Sequence, residues 1–144
     1  MVDLKEFEQK AADLRVLGMK ISIGQDTVYE KYWDEDCRRN IYSASKSFTS
    51  CAVGFAVQEG LIDLDERLMD AFKEDIPNNP DENLKKATVK DLLTMTLGQE
   101  KGFLMGKQRP RMEEQNWVKA SLAIPFVYEP GTHFVYNNVG PYLA

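Results

Sequence analysis

Hydrophobic positions change period several times along the chain, and each change marks an expected element. From Lys5 to Leu17 the apolar residues Phe7, Ala11, Ala12, Leu14 and Leu17 have the spacing of an amphipathic helix stopping at Gly18. Met19 to Gly24 then alternates apolar and polar, the pattern of a half-buried strand, and Gln25-Asp26 is a turn. Residues 27–33 read as the returning strand of a hairpin, and the charged stretch 34–40 as a loop. From Tyr42 to Gly60 one long helix is expected. Its apolar stripe of Phe48, Cys51, Ala52, Phe55 and Ala56 is widened by Val53 and Val57, which predicts a helix buried through the middle of a domain.

Shorter elements follow. Asp63-Leu64-Asp65-Glu66 resembles a capping box opening a helix with Leu64, Leu68 and Phe72 inward. Residues 76–81 form a turn region rich in Pro and Asn. Thr88 to Asp91 opens a helix running from Val89 to Thr96 that stops at Gly98, and 100–111 reads as a surface loop. A helix is expected over Met112 to Ala123, with Trp117, Val118 and Leu122 inward and Pro125 closing it. Glu129 to Thr132 is a turn, Phe134 to Tyr136 an extended piece, and Asn137-Asn138 a cap for a helix starting at Val139. Trp33, Trp117 and the methionines read as core.

The chemistry suggested by this pattern lies at the start of the long helix. Ser43 and Lys46 stand three residues apart, a spacing that puts both on one helix face within hydrogen-bond reach. Helix N-termini favour negative charge, and a lysine beside a serine assists removal of the hydroxyl proton. Alone, such a pair is a weak signal, since a capping serine followed by a solvated lysine looks the same.

Composition narrows the field without naming a function. The chain has 144 residues, a single-domain length, with 43% hydrophobic and 28% charged residues. A net charge of -5 argues against nucleic acid or an anionic membrane as partner. No apolar run has the length of a membrane span, and Met1 to Lys10 lacks the features of a secretory signal, so a cytoplasmic location is expected. Cys37 and Cys51 read as free thiols, and His133 is the only histidine, so no zinc site or other cofactor is expected.

Three segments, taken together and in this order, resemble the serine beta-lactamase and penicillin-binding protein family, in its class C, esterase-like branch. They are Tyr42-Ser43-Ala44-Ser45-Lys46-Ser47-Phe48 followed by residues 59–66, then Thr88-Val89-Lys90-Asp91-Leu92-Leu93-Thr94-Met95-Thr96-Leu97-Gly98, then Glu129-Pro130-Gly131-Thr132 leading to Tyr136-Asn137-Asn138. The resemblance runs from about Met19 to Ala144. It implies an acyl-enzyme mechanism with Ser43 as nucleophile, Lys46 as the group easing its deprotonation and Tyr136 as second proton carrier. Asn138 would hold the substrate amide and Lys46, and the Ser43 N–H would supply half of an oxyanion hole. Whether Lys46 or Tyr136 is the base stays open. The substrate would be a small amide, beta-lactam or ester; the absence of a visible signal favours an intracellular esterase or amidase over cell-wall work.

One family motif is not found in this sequence. The Lys- or His-led strand motif ending in Gly does not occur, because His133 is followed by Phe134 and Val135. The expected fold is therefore α+β and mostly helical, an N-terminal part of the beta-lactamase and transpeptidase-like fold with its C-terminal sheet strands missing. Residues 1–40 would be the helix and hairpin of an incomplete α/β domain, and 41–144 the helical domain. Two bare strands are marginal in water, so pairing with a missing C-terminal portion, or self-association, is expected. The competing expectation is a non-catalytic homologue that binds a ligand or partner.

Overall fold

A computed structural model describes residues 3–35 and 37–144. Their backbone divides into two compact units, Met1–Asn40 and Ile41–Ala144. The described residues contain six α-helices and one antiparallel pair of strands, an α+β arrangement dominated by helix.

In the first unit α1 spans Lys5–Ala11, followed by β1 (Gly18–Ile23) and β2 (Asp26–Tyr32). The helix stops six residues before Leu17, where the apolar period would have carried it. Arg15 adopts a left-handed φ of 54°, and the Val16 N–H returns to the Ala11 carbonyl at 2.9 Å, which closes the last turn early. The strands pair from Gly18 opposite Tyr32 to Ile23 opposite Asp26, with an irregularity between Ile21 and Ser22. Turning between them falls to Gly24, at φ 62°, and Gln25, one position earlier than the expected Gln25-Asp26. Polar side chains tie α1 to β2: Tyr29 and Lys31 both donate to the Glu8 carboxylate. The expected loop 34–40 includes Asp36, which lies outside the described residues.

The second unit begins with a 3-10 turn, Tyr42–Ala44, which leads into α2, Ser45–Gln58. The expectation of a buried α2 fails. Val53 is its one buried residue, while Phe48 and Phe55 are 69% and 65% exposed. The helix packs on its leading turn and on α6 (Val139–Leu143), and those neighbours cover only a narrow side.

The core lies elsewhere. Leu68, Leu84, Ala87, Leu92, Leu97, Leu104, Leu122, Phe126 and Val139 form one buried cluster. It is built from α3 (Leu68–Ala71), α4 (Val89–Thr94), α5 (Trp117–Leu122), α6 and the loops between them. The start of α3 differs from the capping box expected at Asp63: the Asp63 carboxylate accepts from the Asp65 N–H at 2.9 Å instead. Arg67 then pairs with Thr88 in an extended bridge, so the helix begins only at Leu68. Leu64 accordingly sits at the surface rather than inside.

At α4 the start signals succeed, while the helix ends at Thr94 rather than running to Thr96 and Gly98. The Asp91 carboxylate accepts from the Thr88 N–H at 2.9 Å and the Thr88 hydroxyl at 2.8 Å, and Met95 ends the helix at φ 57°. Helix α6 presses on it so closely that a Cβ at Gly140 would collide with the Leu92 carbonyl oxygen. Helix α5 starts five residues after the expected Met112. Its cap is Asn116, whose Oδ1 accepts from the Val118 and Lys119 N–H groups, while Arg109–Arg111 forms a 3-10 turn in the stretch expected to be loop.

Candidate active site

Ser43 occupies the middle of the 3-10 turn, just ahead of α2. The turn is held in an unusual backbone: Tyr42 has φ 45°, and the Ser45 hydroxyl donates to the Tyr42 carbonyl at 2.7 Å. A left-handed non-glycine residue costs about 1 kcal/mol or more, and such residues persist where neighbours fix them. One helical step on, Lys46 reaches back and donates from Nζ to Ser43 Oγ at 3.0 Å. The i, i+3 spacing places the two groups together despite the change from 3-10 to α geometry.

Tyr136 arrives from the far end of the unit. Its hydroxyl donates to Ser43 Oγ at 2.7 Å across 93 residues of sequence. The Lys46 ammonium also lies 5.1 Å from the Tyr136 ring centroid, a cation–π contact. Ser43 Oγ therefore accepts from both partners at once.

Backbone fit fixes the tyrosine. The Val135 N–H donates to the Met95 carbonyl at 2.9 Å, and the Asn138 N–H to the Phe103 carbonyl at 3.1 Å. A Cβ at Gly102 would strike the Tyr136 carbonyl oxygen, so the 102–104 strap runs against 136–138 with room for glycine only. Leu104 completes the strap at φ 55°.

The two asparagines divide their tasks differently from the sequence expectation. Asn137, which is buried, caps α6 by accepting the Gly140 N–H at 2.9 Å, and it donates to the Val135 carbonyl at 2.8 Å. Asn138 lines the cavity beside Ser43, but its amide nitrogen donates to the Leu104 carbonyl at 2.9 Å. No hydrogen bond joins it to Lys46 among the described residues.

Electrostatics act on Tyr136 in particular. Its phenol is held below the ordinary value near 10, first by the hydrogen bond with Ser43, then by Lys46; partial burial opposes the shift. Ser43 and Lys46 open onto a cavity of about 530 Å³ that Asn138 also lines. Leu104, Arg109, Trp117 and Tyr142 line it as well. Sequence reasoning missed these. Trp117, read as core, does pack against the core but is only half-buried and also walls the cavity. Arg109 and Tyr142 gave no signal, because neither belongs to a motif or an apolar period. Cys37 and Cys51 are free and exposed.

A family model described as Beta-lactamase matches residues 5–144. The chain belongs to the beta-lactamase family, whose members are hydrolase-like. The match begins upstream of Met19, where the three motifs alone would have started it. No curated protein gives a significant match. No helix among the described residues is long and apolar enough to cross a membrane.

Proposed function

We propose that this chain is the acyl-transfer portion of a serine hydrolase of the class C, esterase-like branch, acting on a small ester, amide or beta-lactam carbonyl. The observation that carries the reading is the double donation to Ser43 Oγ, from Lys46 at 3.0 Å and Tyr136 at 2.7 Å. A capped structural serine has no use for two such partners, and a ligand-binding homologue has no need of an activated hydroxyl.

With both partners protonated, Oγ accepts two bonds and its own proton has no base to go to. Ionisation of one partner changes that. The lowered phenol of Tyr136 favours it as the base, with Lys46 staying an ammonium that stabilises the phenolate. The Ser43 proton then passes to the phenolate as Oγ bonds the carbonyl carbon and the π pair moves onto oxygen. The Ser43 N–H and the N-terminal end of α2 favour that oxyanion. Collapse breaks the bond to the leaving group, which takes the proton from Tyr136. Water repeats the sequence: it gives a proton to Tyr136 and a hydroxyl to the acyl carbon, and the departing Ser43 oxygen recovers the proton.

The exposed apolar face of α2 supports a further element of the reading. Phe48 and Phe55 lie seven residues apart on one side of the helix, where additional structure would pack in the active form. A further portion of the same protein, carrying the Lys- or His-led strand motif, suits that place.

Intact mass after incubation with a fluorophosphonate, and separately with a penicillin, tests the proposal. A single adduct on the native chain that is absent from Ser43→Ala is the expected result. No adduct on a folded chain, nor on a longer form carrying the strand motif, would overturn it.

A further inference from the structure

The cavity at Ser43 has a charge character opposite to that of the chain. The protein carries a net charge of -5, yet Lys46 and Arg109 line the cavity and no carboxylate among the described residues does. Of these two cations, Lys46 is committed to Ser43 Oγ and the Tyr136 ring. Arg109 makes no ion pair or hydrogen bond from its guanidinium among the described residues. The nearby Glu113 and Glu114 are exposed and do not reach it.

The backbone that carries Arg109 is tied down. It opens the 3-10 turn Arg109–Arg111, with Pro110 fixing the next residue. The preceding Gln108 ties the turn back to the strap beside Tyr136: its Oε1 accepts from the Met105 N–H at 2.9 Å, and its Nε2 donates to the Gly102 carbonyl at 3.3 Å. The guanidinium lies over Gly106, where a Cβ would sit 3.8 Å from Nη2. An exposed guanidinium lining this cavity, with no carboxylate partner among the described residues, matches the planar, two-donor recognition of a ligand carboxylate.

Next to it stands an aromatic wall. The rings of Trp117 and Tyr142 meet at 5.7 Å with a tilt of 53°, both lining the same cavity. They offer apolar surface for a flat or chain-like group, with polar edges toward water.

We propose that Arg109, Trp117 and Tyr142 form a subsite for a substrate carrying a carboxylate on an aromatic or extended apolar body. Arg109 then acts as a specificity-determining residue, pairing with that carboxylate while the acyl carbon lies at Ser43. The proposal deepens the hydrolase reading and rests on it for the reaction the subsite serves.

Equilibrium binding of 4-phenylbutyrate and of its uncharged counterpart 4-phenyl-1-butanol tests it, by calorimetry and by the shift of the Trp117 indole N–H in NMR. On the native chain the carboxylate is expected to bind about tenfold tighter than the alcohol, as a charge-assisted bidentate contact allows. Arg109→Gln is expected to remove that preference, with circular dichroism confirming the fold, and Arg109→Lys to retain part of it. Equal affinities on the native chain, an unchanged preference in Arg109→Gln, or no measurable binding of the carboxylate would each overturn the subsite. Neither ligand has an acyl bond to cleave, so the outcome is independent of Ser43. Absence of phosphonate labelling would count against the hydrolase reading alone.

Discussion

At the scale of residues, the proposed acylation depends on which partner of Ser43 gives up its proton. Because the Tyr136 phenol is held below its ordinary value, the ionised form is populated at lower pH than in a free tyrosine. The rate of Ser43 acylation by an activated ester should therefore rise with pH through that ionisation, at lower pH than a free tyrosine would give. Tyr136→Phe is expected to lower the rate by about 10²-fold or more and to erase the rising limb. Stopped-flow release of p-nitrophenolate across a pH series checks both. A Tyr136→Phe profile that keeps the limb would shift the base role to Lys46. Lys46→Met should also slow acylation, since it removes the charge that favours the phenolate.

At the scale of elements, two close fits carry predictions. Helix α6 approaches α4 through Gly140, so Gly140→Ala forces the Leu92 carbonyl and the helix apart, at a cost of about 1–3 kcal/mol. Urea melts of the two proteins measure it, and an unchanged midpoint would mean that the helices separate freely. In the first unit, the Glu8 carboxyl is held below its ordinary 4.5, first by the hydrogen bond from Lys31, then by that from Tyr29. A carboxyl with a depressed folded value stabilises above its unfolded value and loses that contribution as pH falls through the folded one. Stability of this unit should thus fall below about pH 4.5 more steeply in the native chain than in Glu8→Gln. Acid titration followed by the NMR signals of β1 and β2 reports it.

Elements also show what the sequence conveyed and what it withheld. Helix α4 was legible because its cap, Thr88 and Asp91, and its first apolar residues are neighbours in the chain. The Ser43–Lys46 pair was legible for the same reason, three residues being one helical step. Helix α5 was drawn too long: an apolar residue at Met112 suggested a start, but Asn116 is extended and its side chain caps the helix, so Met112 to Gln115 lie outside it. The stripe on α2 was seen correctly and placed wrongly, because periodicity reports an apolar face and cannot say what covers it. Arg109 was invisible, since its meaning comes from a cavity whose walls are drawn from four separate parts of the chain.

At the scale of the whole molecule, the uncovered side of α2 sets the solution behaviour. Phe48 and Phe55 present apolar area that water solvates poorly, so the chain should associate as its concentration rises. Phe48→Asp with Phe55→Asp is expected to weaken that association while keeping helix content, with sedimentation velocity as the readout. A native chain that stays monomeric at every concentration would contradict this.

The bond between Tyr136 and Ser43 has one more consequence, in time rather than in space. Its two ends are 93 residues apart, so it closes a loop comprising most of the unit, and contacts of that span form slowly. Lys46 reaches Ser43 within a single local turn, but the phenol arrives only when the 102–104 strap and α4 have received residues 134–138. On the proposed mechanism, a nascent or partly unfolded chain would therefore carry an unactivated serine. Its reactivity would be switched on by the completion of folding, and the appearance of phosphonate labelling during refolding would serve as a clock for that last step.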